Sequence, residues 1–118
     1  MISGQQNIEI VVQQNLELYN KRDIEGFMET FATDIELYTL GEHAPAIAGL
    51  QGMRNFYKKL FDASPKLHST VLKRIVFGNK VIDHESISGR LDAKEPVEVV
   101  VIYEVRDEKI FRLTAIRK

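Results

Sequence analysis

Apolar residues follow a helical spacing in the first half of the chain and a strand-like alternation in the second. From Gln5 to Asn20 they recur every three or four positions, and Ser3 with Gln6 has the form of an N-terminal capping box. This pattern predicts a first helix. Asp23 can cap a second, shorter helix that we expect to end near Thr33. Its buried face would comprise Ile24, Phe27, Met28 and Phe31.

One strand and a third helix are predicted next. The segment "DIELYTL" at 34–40 alternates apolar and polar residues, which is typical of a strand, and the loop "GEHAPAIAG" follows it. Beyond the loop, apolar residues return to helical spacing up to Ser64-Pro65, where the proline favours the end of the helix. The apolar residues of this third helix are Leu50, Met53, Phe56, Tyr57, Leu60 and Phe61.

The second half divides at short polar turns into four strand-like runs. Connections this short favour antiparallel neighbours. In "PVEVVVIYEV" one face is apolar throughout, and Val100 and Ile102 make the other face partly apolar. Helices followed by strands, without a repeat or linker, predict a single α+β domain over residues 1–118. The four runs are 67–77, 80–91, 97–106 and 109–117.

Composition narrows the possible classes of function. The chain has 118 residues, of which 44% are hydrophobic and 28% charged, the usual balance of a globular domain. A net charge of −1 gives no overall electrostatic field that would attract phosphate groups, so we expect no nucleic-acid partner. Cysteine is absent, which excludes disulfides and thiolate chemistry. The start of the chain lacks a secretion-type pattern and no long apolar run is present, so we expect a cytoplasmic protein without membrane contact.

The segment "VIDHESISG" at 81–89 carries the main candidate chemistry. A strand's period of two places Asp83 and Glu85 on the same face as Val81 and Ile87, while His84 points the other way. Two carboxylates therefore share an apolar face. That face either meets water or lines a pocket in which acids are useful.

Three stretches together resemble a known family: "VVQQNLELYNKRDIEGFMETFATDIELY" at 11–38, "GLQGMRNFYKKLF" at 49–61 and "VIYEVRDEKIFRL" at 101–113. They are similar to the nuclear transport factor 2-like superfamily, in its SnoaL-like and ketosteroid-isomerase-like branch. The resemblance implies three N-terminal helices packed on a strongly curved, mostly antiparallel sheet that forms a cone-shaped pocket. It also implies a homodimer through the convex sheet face, where Val100 and Ile102 would lie.

The catalytic residues of ketosteroid isomerases are not matched. The resemblance places Asn15 at the position of their tyrosine donor, Thr39 at that of the aspartate base and Tyr103 at that of the protonated aspartate. The same steroid isomerisation is therefore not expected. Tyr57 matches a third-helix tyrosine that supports the pocket's hydrogen bonds, although it also fits a core tyrosine bonded to a carbonyl. Asn15 is either a ligand-binding amide or a satisfied core amide.

The resemblance also locates the two acids of "VIDHESISG" on the pocket face. A desolvated carboxyl there would have a raised pKa, which suits a general acid or base near neutral pH, so Asp83 and Glu85 are the candidate catalytic residues. The alternative is that one of them pairs with Arg112 or Arg54, because structural ion pairs also perturb acids.

A loop histidine is the last candidate. His43 lies in the loop that covers the pocket mouth in the family, where it would contact the ligand or exchange a proton. A solvated histidine is the alternative. The chain's histidines do not form a close ligand pair in sequence, so we expect no metal and no cofactor.

Three functions remain open. The first is an isomerase, cyclase or hydratase-type enzyme acting on a small apolar or amphipathic molecule. In it Asp83 or Glu85 is the acid or base, and Asn15, Tyr57 and Tyr103 orient an oxygen. The second is a non-catalytic ligand-binding domain with the same polar groups. The third is a dimerisation or scaffold module whose cavity has no ligand.

Overall fold

The computed structural model describes residues 4–118, in which three helices and six strands form. The predicted first helix, third helix and last four strands are confirmed. The capping box predicted at Ser3 lies outside the described residues. Within residues 4–118, no helix combines the length and apolar character needed to cross a membrane. In chain order the elements are α1 (Gly4–Lys21), α2 (Ile24–Glu29), β1 (Phe31–Thr39), β2 (Ile47–Ala48), α3 (Gly49–Ala63), β3 (His68–Phe77), β4 (Lys80–Ser88), β5 (Val97–Arg106) and β6 (Lys109–Arg117).

The second helix is shorter than its apolar spacing predicts. Asp23 caps it by accepting a bond from the Gly26 amide, but α2 ends at Glu29, not near Thr33. Phe31 was expected on the buried helical face and instead begins β1, where it pairs in parallel with Ile110 of β6. Pairing with a strand that is distant in sequence therefore determines the conformation of Phe31, although the local spacing of apolar residues favours a helix. β2, within the predicted loop, is a further strand that the sequence pattern did not predict.

The six strands form one curved sheet in the order β2-β1-β6-β5-β4-β3. Every neighbouring pair is antiparallel except β1 and β6, which run parallel. Register shifts interrupt the pairing of β1 with β6, of β3 with β4 and of β5 with β6. Such bulges bend a strand and increase its twist, which favours a curved sheet. The shift in β3 falls between Val71 and Lys73, so that Leu72 is the extra residue.

The helices cover one face of the sheet, which we call the inner face. Helix α1 packs against β3 and helix α3 against β1. A cluster of aromatic rings joins the three helices, with Phe27 at its centre. The ring centroid of Phe27 lies 4.8 Å from that of Tyr57, 5.4 Å from Phe61 and 6.0 Å from Tyr19. Tilted and edge-on rings at these distances attract one another. The cluster therefore fixes the helices that form one wall of the interior.

Candidate functional site

A cavity of about 90 Å³ lies between the inner face of the sheet and the helices. It is smaller than the roughly 300–1,000 Å³ of typical ligand sites, so a ligand of ordinary size needs some opening of its walls. The cone shape implied by the resemblance stays a prediction. The apolar wall residues are Leu16, Phe27, Leu37, Phe56, Leu60, Ile87, Val99, Val101, Leu113 and Ala115. The polar wall residues are Asn15, Tyr19, Tyr57, Ser69, Glu85, Arg90, Tyr103 and Arg117.

Glu85 is the one carboxylic acid that the described residues contribute to the cavity wall. The residue is 4% exposed, and both carboxyl oxygens accept hydrogen bonds from hydroxyl groups. Ser69 Oγ donates to Oε1 at 2.9 Å, and the Tyr103 hydroxyl donates to Oε2 at 2.8 Å. Burial raises the pKa of the Glu85 carboxyl, the two hydroxyl bonds oppose that rise, and the nearby charge of Asp83 adds to it. The raised pKa brings protonation of Glu85 closer to neutral pH.

Ser69 is held in place by the end of α1. The Asn20 side chain donates to the Ser69 carbonyl oxygen at 3.0 Å and accepts from the Ser69 amide at 2.7 Å. This reciprocal pair fixes the backbone of the edge strand β3 where Ser69 reaches Glu85. Sequence reasoning did not find either residue. Ser69 lies opposite Ile87 in the ladder, but that register is not evident until β3 and β4 are paired.

Asp83 shares the inner face with Glu85 but does not line the cavity. It is fully buried and accepts two bonds from Arg74, from Nε at 2.7 Å and from Nη2 at 2.9 Å. Arg74 also donates to Gln13 at 2.8 Å and lies 3.6 Å from a carboxylate oxygen of Glu9. The two acids predicted as a pair therefore have different surroundings.

The partners considered for these acids from sequence were wrong. Arg54 pairs with Glu25. Arg112 lies 3.9 Å from carboxylate oxygens of Glu36 and Glu104, away from Asp83 and Glu85. The sequence analysis did not name Arg74, and plain alternation from Ser69 would place it on the outer face, away from Asp83.

Three of the remaining predicted residues line the cavity, and one does not. Asn15, Tyr57 and Tyr103 are wall residues, whereas His43 lies exposed in the loop after β1 and is not part of the wall. The Asn15 amide donates to Thr30 Oγ1 at 2.9 Å. His84 points away from the cavity, as predicted, with its ring Nε2 2.6 Å from a carboxylate oxygen of Glu98.

Two tyrosine hydroxyls remain available to a ligand. Tyr19 and Tyr57 line the cavity, and neither hydroxyl bonds to another residue in the described part of the chain. Burial, together with the charge of Glu85, raises the pKa of Tyr57 to about 12. Burial likewise raises the pKa of Tyr103 well above its ordinary value. These groups are therefore hydrogen-bond donors at neutral pH.

A cluster of metal ligands is not found in the described residues. Across positions 4–118, no three histidine, aspartate or glutamate side chains converge closely enough to hold an ion. The chemistry visible at the cavity is that of one buried carboxyl group surrounded by hydroxyl donors.

Comparison with known proteins identifies relatives of the domain. The model of a family described as the SnoaL-like domain matches residues 12–113. No curated protein matches the chain. An uncharacterized cystatin fold protein from Novosphingobium aromaticivorans is 22% identical, with 94% of this chain and 97% of that chain covered and a TM-score of 0.82.

Two further solved structures carry functional names. A candidate ketosteroid isomerase from Kribbella flavida is 19% identical over 93% of this chain and 76% of its own, with a TM-score of 0.79. A candidate SnoaL-like polyketide cyclase from Jannaschia is 16% identical over 98% of this chain and 88% of its own, with a TM-score of 0.78. Identities this low establish a common fold, and a fold alone does not specify a reaction.

Proposed function

This chain belongs to the SnoaL-like domain family, and on that premise we propose that it is a small-molecule enzyme in which Glu85 is the general acid or base. The observation that carries the proposal is the position of Glu85. Its carboxyl group is almost fully buried in the wall of an otherwise largely apolar cavity, with a raised pKa. A carboxyl group in such surroundings is suited to proton transfer near neutral pH.

The proposed step is proton transfer at a carbon beside a carbonyl group. Ionised Glu85 removes the proton, and the Tyr57 hydroxyl donates to the oxygen on which negative charge develops. Asn15 and Tyr103 orient the reacting groups. Isomerisation through an enol, aldol-type cyclisation and addition of water to an enone all include a transfer of this kind, so the proposed substrate class is a small, largely apolar carbonyl compound.

Asp83 has a different role in this proposal. Its charge is balanced by Arg74 and it has no surface in the cavity, so it acts through Glu85 and not on the substrate. Its negative charge raises the pKa of Glu85, which favours the protonated form. Glu85 is therefore the proposed catalytic residue, and Asp83 and Arg74 are positioning residues.

Hydrogen exchange on a simple ketone tests the proposal. In D₂O, a base that removes an α-proton from cyclohexanone returns a deuteron, and NMR measures the loss of the α-proton signal. We expect exchange above the buffer rate, reduced about 100-fold or more in Glu85→Gln. The exposed Glu95→Gln serves as the control and should exchange like the unaltered protein. Equal exchange by Glu85→Gln and the unaltered protein would contradict the assignment.

A non-catalytic binding domain is the second candidate, favoured by one observation. Both oxygens of Glu85 already accept hydroxyl bonds, as they would in a purely structural arrangement. In that case cyclohexanone would bind and shift the amide NMR signals of the cavity residues. Its α-protons would exchange no faster than in buffer.

A homodimer through the outer face of the sheet is also proposed. Strand register aligns Ile75, Ile82 and Ile102 in one row across β3, β4 and β5, and Ile75 is 52% exposed. An apolar row of this kind supports association between two copies. Sedimentation should give a dimer that Ile102→Arg converts to a monomer. Ile10→Arg, at an exposed apolar position of α1 on the inner side of the sheet, should remain dimeric. A monomeric unaltered protein would show the proposal to be wrong.

A further inference from the structure

Two arginines lie at the same end of the cavity. Strands β4 and β6 both run antiparallel to β5, so β4 and β6 point in the same direction and their C-terminal ends lie at the same end of the sheet. Arg117 is the last residue of β6, and Arg90 follows shortly after the end of β4. Both side chains line the cavity. Positive charge is therefore concentrated at this end, although the chain as a whole has a net charge of −1.

The rest of the cavity wall does not neutralise these two charges. Glu85 is its only carboxylic acid among the described residues, and its two oxygens accept bonds from Ser69 and Tyr103 and not from either arginine. Asp83 is engaged by Arg74 outside the cavity. The positive charges of Arg90 and Arg117 lower the pKa of the Tyr57 hydroxyl, although burial raises that pKa overall.

Arg90 also faces a second space outside the cavity. A surface groove of about 520 Å³ runs along the C-terminal half of α3, and its wall includes Phe56, Leu60 and Arg90, which also belong to the cavity wall. These three side chains therefore form the partition between the two spaces. Lys59 adds a further positive charge to the groove, and Leu91, which is 75% exposed, adds an apolar surface.

The guanidinium group of Arg90 is only weakly engaged. Among the described residues it bonds to Asp92 alone, at 3.2 and 3.3 Å, and the Asp92 side chain is 71% exposed. An exposed pair of this kind contributes little to stability, so a ligand carboxylate can replace Asp92 at small cost. The planar fork of arginine matches the two oxygens of a carboxylate.

We propose that the ligand of this site is an amphipathic organic carboxylate whose acid group binds Arg90, supported by Arg117, at the cavity mouth. Its apolar body passes between Phe56 and Leu60, and its opposite end approaches Glu85. This inference rests on the proposed function, because it takes the cavity as the substrate site and specifies what the substrate carries. It adds a binding group that the proton-transfer step itself does not require.

Octanoate and octan-1-ol are matched probes, because they share the apolar chain and differ in the charged group. Isothermal titration should give an affinity for octanoate about tenfold higher than for octan-1-ol, as expected for one charge-assisted contact at a partly buried site. In Arg90→Gln, and to a smaller extent in Arg117→Gln, the preference should fall to about twofold or less. Lys58→Gln is the control, since Lys58 is exposed on α3 next to Lys59 but does not line the groove.

The outcomes separate this proposal from the proposed catalysis. Glu85→Gln should lose ketone exchange yet keep the preference for octanoate. Equal affinity for both probes, failure of octanoate to bind at millimolar concentration, or an undiminished preference in both arginine variants would overturn the carboxylate proposal, whatever the exchange assay shows.

Discussion

Replacement of Arg74 by methionine tests whether the buried ion pair stabilises the fold. The methionine side chain would fill similar space but leave the Asp83 carboxylate fully buried without its two bonds from the guanidinium group. Gln13 would also lose its bond from Arg74. The surroundings of Asp83 offer water no access, so the loss cannot be compensated by hydration.

The expected cost follows from the burial of the pair. Removal of one partner of a buried ion pair destabilises a protein by about 3–5 kcal/mol. The Arg74 side chain is 14% exposed and that of Asp83 is 0% exposed, so a loss of about 3 kcal/mol, near the lower end, is expected. Since domains of this size are stable by only about 5–15 kcal/mol, the variant should fold but unfold at clearly lower urea concentration.

Urea unfolding followed by circular dichroism measures the effect. The double variant Arg74→Met/Asp83→Leu should recover most of the loss, because an apolar pair of similar volume often replaces a buried ion pair without cost. Lys58→Met is the matched control: its pair with Asp62 is an exposed one, with side chains 56% and 67% exposed, and should cost less than about 1 kcal/mol. A loss below about 1 kcal/mol in Arg74→Met, or no recovery in the double variant, would refute the reasoning.

Two further predictions concern the pH dependence of stability and a close backbone approach. Burial raises the pKa of Glu85 above its unfolded value of about 4.3, so the folded state binds more protons than the unfolded state. The contribution of Glu85 to stability therefore decreases as pH rises from the unfolded pKa to the folded pKa. Glu85→Gln should remove about 1.4 kcal/mol of this decrease for each unit by which the pKa is raised, measured by urea unfolding at about pH 3.5 and about pH 8, and an unchanged dependence would contradict it. Gly89 has a φ of +77°, and an added Cβ would lie 2.1 Å from the Lys66 carbonyl oxygen, so Gly89→Ala should lower thermal stability by about 3 kcal/mol or more. Gly41→Ala, at a φ of +94° in open space, should cost only about 1–2 kcal/mol, and equal losses in the two variants would show that the close approach is unimportant.

Much of the fold could be predicted because local patterns determine its elements. Helical spacing identified α1 and α3, and short polar turns separated the last four strands. The end of α2 could not be predicted in this way. Phe31 continues the helical apolar spacing, but its pairing with Ile110 is a contact between opposite ends of the chain that no local pattern records.

The candidate site was predictable only where strand alternation is unbroken. β4 pairs with β5 without a register shift, so alternation correctly placed Glu85 on the face of Val81 and Ile87, and the family resemblance identified that face as the inner one. β3 contains the extra residue Leu72, which reverses the alternation after it and turns Arg74 towards Asp83. The ion pair of Asp83 therefore could not be found by counting residues. The sequence pattern placed Arg90 inside the strand-like run 80–91, whereas β4 ends at Ser88, so strand alternation could not give the direction of the Arg90 side chain.

The extra residue in β3 also lets one strand supply a partner to each of the two acids. Before Leu72 the strand supplies Ser69 to the carboxyl group of Glu85, and after it the strand supplies Arg74 to Asp83. Ser69 and Arg74 are five residues apart in the chain, so strict alternation would place them on opposite faces of the sheet. One strand can serve both acids only because it changes phase between them. Loss of Leu72 should leave both contacts in place, because the two side chains would then be an even number of residues apart, but it would remove the bend that the bulge gives the strand.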